Sequence, residues 1–190
     1  SGYRTCGIVA GDGLPLFPKG PYGEMKMFCE NLIHHHRTLY GLKCGILRSS
    51  SLYGEDGDRP KFIYNFVEKA KKNEPIRTHV YWNGAPKLDL LYVSDFVAAL
   101  IAAIERDFTG TLNIGTGRAV STREIAESII RRTGSDSSID SVAVQDYTAN
   151  ITMDVAAAHE VLAWQPAIAW EEGIGRLIEY QTGDKSGRRE

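Results

Sequence analysis

Tyr22 and Lys26 are the two residues of this sequence best spaced to do acid–base chemistry together. They are four positions apart, and a helix brings residues at that spacing onto one face. A nearby ammonium stabilises a phenolate and lowers the pKa of a tyrosine toward working pH, as a general acid/base requires. The lysine could also hydrogen-bond a ribose. The plainer interpretation of the pair is a tyrosine on a half-buried helix face with a solvated lysine one turn further on.

Helix start and stop signals predict the elements that would carry such residues. Pro21 fits the first position of a helix and Gly41 fits its end, which predicts a helix over residues 22–40. Its apolar residues lie on one face. Ser121 and Glu124 form the pattern of a capping box, and Gly134 should end the helix that follows them.

The remaining elements alternate between strands and helices, which favours an α/β fold with some parallel pairing. Ser94 and Asp95 are predicted to cap a helix at 96–104, and Asp154 a short helix that ends at Leu162. The other predicted segments are strands at 43–47, 78–82, 111–114 and 139–144, and helices at 61–73 and 171–181. Residues 1–20 and 54–60 are predicted to form loops, and 183–190 a polar tail.

The composition excludes several classes of protein. The 190 residues are 43% hydrophobic and 24% charged with a net charge of −2, so nothing in the charge balance favours binding of nucleic acid or an anionic membrane. No apolar run approaches the roughly 20 residues of a transmembrane helix. The three cysteines lack metal-site spacing and are interpreted as reduced thiols of a cytoplasmic protein. The run 34–36 of histidines cannot share one helix face, so no metal site is predicted.

Five segments resemble, in order, the later part of the NAD-dependent epimerase/dehydratase family, the extended short-chain dehydrogenases that act on nucleotide sugars. They cover nearly the whole chain. The segments are 18–26 with Glu30, 46–48 with 52–54, 91–95, 112–117 with 120–124, and 153–166 with 171–173. Under this resemblance Gly115-Thr116-Gly117 is a structural turn. Trp164 and Trp170 are interpreted as core anchors near the C-terminal helices rather than as a ligand platform.

The resemblance implies specific roles at the cofactor. Tyr22 would exchange a proton with a sugar hydroxyl while NAD or NADP takes the hydride from the same carbon. Lys26 would hold the nicotinamide ribose and tune the tyrosine. Ser49 and Ser50 would line the cofactor site, with a simple serine-rich strand exit as the alternative.

The resemblance also implies substrate contacts at Ser51, Tyr53 and Lys87, where the sequence departs from the family pattern. Ser51 stands in place of an asparagine that often contacts substrate. Leu88 stands where an arginine commonly pairs with the nucleotide phosphate, and leucine has no bidentate fork. Lys87 is adjacent, but it would point to the opposite side of a strand. Glu55 replaces the proline that usually follows Tyr-Gly.

The Gly-rich dinucleotide fingerprint of the family does not occur in the sequence. We therefore expect the C-terminal part of a Rossmann-like parallel sheet (1–52 and 88–117) and a small α/β substrate-binding domain (53–87 and 118–183). The expected function is that of a truncated NAD(P)-dependent nucleotide-sugar epimerase or dehydratase. Alone, it is expected to bind no cofactor tightly and not to turn over.

Two alternatives to that function remain open. One is a non-catalytic binding or oligomerising module, because a truncated sheet should pair with a second copy or with a complementing N-terminal chain. The other is a reductase of the same superfamily with a non-nucleotide substrate, which Leu88 favours.

Overall fold

The computed structural model describes residues 8–10, 20–55, 57, 62–148 and 150–183. Most of the predicted loop at 1–20, most of the 54–60 loop and all but the first residue of the predicted polar tail lie outside them. The strands are β1 (Ile8–Ala10), β2 (Gly45–Ser49), β3 (Ser51–Tyr53), β4 (Ile76–Val80), β5 (Lys87–Tyr92), β6 (Gly110–Ile114), β7 (Ala119–Ser121), β8 (Ile139–Ala143) and β9 (Ile151–Met153). The helices are α1 (Gly20–Tyr40), α2 (Phe62–Lys71), α3 (Val93–Glu105), α4 (Thr122–Thr133), α5 (Ala156–Leu162) and α6 (Trp170–Thr182).

Parallel pairing dominates the sheets and confirms the α/β class. The main sheet has the order β1-β9-β5-β3 with parallel neighbours, and β7 is antiparallel to β5. Two further parallel pairs are β2 with β6 and β4 with β8. Because the carboxyl ends of parallel strands meet at one edge, loops after β2 and β6 come together.

Two apolar clusters form the core. The larger joins α2, α4 and α6 to β5; its fully enclosed members include Val67, Ile76, Ile125, Ile129 and Leu177. The smaller joins α3, α5 and β6, and it includes Leu91, Ile114, Leu162 and Trp164. The predicted anchoring role of Trp164 is confirmed, and Trp170 packs against the larger cluster.

Asp89 is the polar centre of the main sheet. Its buried carboxylate accepts hydrogen bonds from the Thr116 amide (2.8 Å), the Thr116 hydroxyl (2.7 Å), the Gly117 amide (3.0 Å) and the Met153 amide (3.1 Å). A buried carboxylate needs such donors to compensate for lost hydration. Asp89 thereby fixes the 115–117 turn and joins β5 to β9, so this turn is structural, as predicted.

The helix caps were predicted correctly for α4. Ser121 Oγ accepts a hydrogen bond from the Glu124 amide (3.1 Å), and the Ser121 amide donates to the Glu124 carboxylate (2.8 Å). Gly134 ends the helix in the left-handed conformation with φ 65°. This local pattern is complete in sequence, which is why it could be recognised.

The predicted caps of α3 and α5 were wrong. The N-cap of α3 is Tyr92 without a side-chain cap. Asp95 lies inside the first turn, where its buried carboxylate accepts the Ile168 amide at 2.9 Å. The N-cap of α5 is Val155, although Asp154 still accepts the Ala156 amide at 3.1 Å. In α3 a partner more than seventy positions away overrides the local preference.

Strands account for the other differences from the prediction. Residues 8–10 were expected in a loop but pair with β9, and β3, β5, β7 and β9 were not among the predicted strands. The predicted strands 43–47 and 78–82 begin two residues from their observed positions. No helix in the described ranges is long and apolar enough to cross a membrane. The proposed division into two domains stays a prediction.

Candidate functional site

Tyr22 and Lys26 lie together on an accessible face of α1, as their spacing predicts. The Lys26 ammonium is 5.6 Å from the centroid of the Tyr22 ring, a distance at which a cation is attracted to an aromatic face. Tyr22 is 74% exposed and Lys26 is also exposed. Both polar groups can therefore reach a bound molecule, and a half-buried tyrosine is not what the structure shows.

An ion pair attaches this helix to the adjacent strand. Arg48 on β2 donates through Nε to the two Glu30 carboxylate oxygens (3.0 and 3.1 Å) and through Nη2 to Oε2 (2.6 Å). The two side chains are 20% and 15% exposed. A fork-to-carboxylate contact of this kind restricts both distance and orientation. The helix with Tyr22 is thus held against the strand that leads into the serine run.

The serine run follows directly at the carboxyl end of β2. Ser49 is exposed, and the Ser50 amide donates to the Ile114 carbonyl at 2.8 Å. The Ser50 hydroxyl is buried with no partner among the described atoms. Ser51 is exposed and begins β3. The carboxyl edge of parallel strands is where α/β sheets bind ligands, so the predicted cofactor role of Ser49 and Ser50 has a suitable location.

Tyr53 lies in the core beneath this edge. Its hydroxyl donates to the Trp170 carbonyl (3.0 Å), and its ring meets the Tyr92 ring edge-on at 5.4 Å. Burial raises the pKa of the Tyr53 phenol well above its ordinary value, and the neighbouring Tyr92 and Glu171 act in the same direction. Tyr53 is only 2% exposed. Its predicted contact with substrate stays a prediction.

A partly buried contact that the sequence did not reveal lies beside Tyr53. The Tyr92 hydroxyl donates to the Glu55 carboxylate. Burial and this hydrogen bond raise the pKa of the Tyr92 phenol, while the Arg176 guanidinium, 5.6 Å from the ring centroid, opposes the shift. The signal available in the sequence was Glu55 itself, which stands where the family usually has proline. Glu55 therefore ties the loop after β3 to β5.

Lys87 is remote from Tyr53 along the same strand. Tyr92 is the β5 residue paired with Tyr53, whereas Lys87 pairs with Ser121 at the other end of β5. Five residues of extended strand span roughly 16 Å. The Lys87 side chain is exposed, and the Leu88 side chain packs against the core. The expectation that these neighbours point to opposite sides is confirmed, and the substrate contact of Lys87 stays a prediction.

The described residues fit one end of a dinucleotide cofactor. Accessible hydroxyl and ammonium groups at Tyr22 and Lys26 suit a nicotinamide ribose, and the unpartnered Ser50 hydroxyl lies at the adjoining strand end. The turn 115–117 does not offer a phosphate cradle, because its Thr116 and Gly117 amides already donate to Asp89. No group of three or more His, Cys, Asp or Glu side chains in the described ranges could hold a metal ion.

Parallel strands with a Tyr-x-x-x-Lys helix beside their carboxyl edge define a short-chain dehydrogenase type of protein. The model of the NAD dependent epimerase/dehydratase family matches residues 10–115, more than half of the chain. The chain belongs to this family.

Individual relatives agree with that assignment. A UDP-glucuronate 4-epimerase of Thermodesulfobacterium geofontis is 26% identical over 93% of this chain and 57% of its own length. The structure of a UDP-glucose 4-epimerase from Thermotoga maritima with UDP-glucose is 29% identical, with a TM-score of 0.75, over 87% of this chain and 54% of that one. The structure of MoeE5 in complex with UDP-glucuronic acid and NAD is 27% identical, with a TM-score of 0.80, over 91% of this chain and 59% of that one. The chain spans little more than half the length of these relatives.

Proposed function

We propose that this chain supplies the catalytic helix and the substrate-binding part of an NAD(P)-dependent nucleotide-sugar epimerase or dehydratase. The observation that carries the proposal is the Tyr22–Lys26 pair, exposed on one face of α1 with the ammonium 5.6 Å from the ring centroid. The pair lies within the residues that the family model matches. Relatives that bind UDP-glucose or UDP-glucuronic acid support nucleotide sugars as the substrate class.

In this proposal Tyr22 moves the proton. Its phenolate oxygen accepts a hydrogen bond from the sugar hydroxyl, takes that proton as the carbon is oxidised, and, as the phenol, returns it on reduction. The Lys26 ammonium beside the ring stabilises the phenolate form and donates to the nicotinamide ribose. The bound NAD(P) supplies the hydride chemistry. Ser49 and Ser50 orient the reacting end of the cofactor from the end of β2.

Binding measurements on the chain test the substrate class. A panel of nucleoside-diphosphate sugars is added in a thermal-shift assay, with the matching nucleoside diphosphates and free sugars as controls. One clear stabilisation by a nucleotide sugar supports the proposal and counts against a reductase with a non-nucleotide substrate. Because no Gly-rich dinucleotide loop is present, NAD alone is expected to bind weakly, and micromolar affinity in calorimetry would overturn that expectation.

The role of Tyr22 is tested in a fusion protein. The part of the Thermotoga maritima epimerase that this chain does not match is joined to the chain in one polypeptide. Reduction of bound cofactor is followed at 340 nm with each nucleotide sugar. Tyr22→Phe should lower the rate by about 100-fold or more, since general acid–base catalysis contributes 10²–10⁴-fold. Tyr40→Phe is the control, because Tyr40 is equally exposed on the same helix but has no lysine four residues on.

A further inference from the structure

The Glu30–Arg48 ion pair lies on the same ridge of α1 as the proposed catalytic pair. Tyr22, Lys26 and Glu30 follow one another at four-residue intervals, so they form a single row along the helix. The partly buried face of α1 is formed by Gly23, Met27, Glu30, Ile33 and Arg37, and no side chain of α1 is fully buried. Apolar packing therefore holds this helix only loosely.

The ion pair supplies the orientation that packing does not. Arg48 engages both carboxylate oxygens of Glu30 within 2.6–3.1 Å. With side chains reaching about 5–6 Å from the helix axis, a rotation of 20° moves a side-chain tip by about 2 Å. A misplacement of 1 Å can cost about 100-fold in rate. An anchor on the Tyr22–Lys26 row therefore matters for the geometry of the site.

The ion pair also determines whether the Glu30 carboxylate interacts with Lys26. Glu30 is one helical turn from Lys26, a spacing at which a carboxylate and an ammonium attract each other. In the structure the Glu30 carboxylate pairs with Arg48, and the Lys26 ammonium lies over the Tyr22 ring instead. Among the described residues, the charged side chains on the first three turns of α1 are Glu24, Lys26 and Glu30, and Arg48 on β2 is the ion-pair partner of Glu30. Without Arg48, the Glu30 carboxylate would compete with the phenol for Lys26.

We propose that Arg48 is a positioning residue: by holding Glu30 against β2, it keeps that carboxylate away from Lys26 and reserves the ammonium for Tyr22. The consequence for catalysis rests on the proposed function. The interaction itself is tested without cofactor or substrate, so a failure of either idea can be told from a failure of the other.

Nitration by tetranitromethane, which attacks phenolate, reports on the charge around Tyr22. Tyr22 and Tyr40 fall in different tryptic peptides, residues 20–26 and 38–43, and both are over 70% exposed. Tyr40 therefore serves as the internal reference within the same helix. The ratio of Tyr22 to Tyr40 nitration, measured by mass spectrometry near pH 8, removes differences in reagent and in overall helix accessibility.

Arg48→Met should lower this ratio about two- to threefold, the size of an exposed charge interaction. Glu30→Gln should not lower it, because the competing carboxylate is gone, and the double variant should match Glu30→Gln. Arg48→Lys, which lacks the bidentate fork, should lower the ratio less than Arg48→Met. Arg123→Met, which breaks the exposed pair with Glu127 on α4, is the control and should leave the ratio unchanged.

Two results would overturn the proposal. One is an unchanged ratio in Arg48→Met with the helix content of the unmodified chain. The other is an equal loss in Glu30→Gln and Arg48→Met, because both break the ion pair but only one releases a carboxylate. If Arg48→Met does not fold, the test compares Arg48→Lys with Glu30→Gln instead. A Tyr22-to-Tyr40 nitration ratio in Arg48→Lys that is no lower than in Glu30→Gln contradicts the proposal.

Discussion

At the scale of single residues, the tyrosines of this chain divide by environment. Tyr22 is exposed next to an ammonium, whereas Tyr53 and Tyr92 are 2% exposed and hydrogen-bonded inside the core. Burial raises the pKa of both core phenols and so keeps them neutral. The same residue type is thus a candidate acid/base on α1 and a structural hydrogen-bond donor beneath the sheet edge.

The raised pKa of Tyr53 makes stability sensitive to alkaline pH. The phenol ionises near pH 10 in the unfolded chain but at higher pH in the folded one, so its contribution is complete below pH 10 and is lost above it. Tyr53→Phe lacks this titration. Between pH 9 and 11 the free energy of unfolding should therefore fall by about 1 kcal/mol less in Tyr53→Phe than in the unmodified chain.

Urea denaturation at each pH measures this difference. Tyr53→Phe also loses the hydrogen bond to the Trp170 carbonyl, but that loss lowers stability at every pH and does not change the slope. Tyr40→Phe, at a 72% exposed position, should keep the slope of the unmodified chain. Parallel pH profiles for Tyr53→Phe and the unmodified chain would show that Tyr53 titrates alike in the folded and unfolded states.

At the scale of elements, α6 is held against β5 by a close approach at one glycine. A Cβ added to Gly173 would lie 2.7 Å from Cδ2 of Tyr92 and against the Tyr53 hydroxyl. A Cβ at Gly175, two positions on, would meet only the flexible end of Arg132 at 2.9 Å. The two glycines lie in the same helix, so alanine substitutions at the two positions separate the effect of packing on stability from the effect of helix propensity.

Gly173→Ala should destabilise the chain by about 1–3 kcal/mol, because the rigid tyrosines must move to make room. Gly175→Ala should be neutral or stabilising by up to about 1 kcal/mol, because alanine is the better helix former and Arg132 can shift. Thermal and urea unfolding of the two variants measure both effects. Equal stability of the two variants would contradict close packing at Gly173.

How well the sequence predicted each element depended on where the determining contacts lie. The capping box of Ser121 and Glu124 is local and was recognised, as was the Tyr22–Lys26 spacing. Asp95 was misinterpreted because its partner is Ile168. Strands β3 and β9 are three residues long, and β3 pairs with β5 whereas β9 pairs with β1 and, at one residue, with β5. Segments this short show no hydrophobic period from which a strand could be predicted. Tyr53 is likewise buried by contact with α6, whose residues lie more than a hundred positions further along the chain.

At the scale of the whole molecule, two helices present apolar faces to solvent. On α3, Val97, Ile101 and Ile104 are 46%, 50% and 75% exposed at helical spacing, and on α1, Met25 and Phe28 are 64% and 60% exposed. Strand β2 pairs on one side with β6 and has no second strand partner among the described strands. Such surfaces favour association. We propose a homodimer, or pairing with a complementing N-terminal chain.

Multi-angle light scattering of the purified chain tests this proposal. We expect a mass of about twice 21.0 kDa, and a monodisperse monomer across micromolar concentrations would contradict self-association.

Ile101→Lys should weaken the dimer by at least about tenfold if α3 forms the interface, since burying one such side chain contributes about 1.5–3 kcal/mol. Phe28→Lys makes the same test of α1. Glu127→Lys, at an exposed polar position of α4, controls for added charge and should leave the mass unchanged, so the face at which lysine dissociates the dimer identifies the surface of self-association.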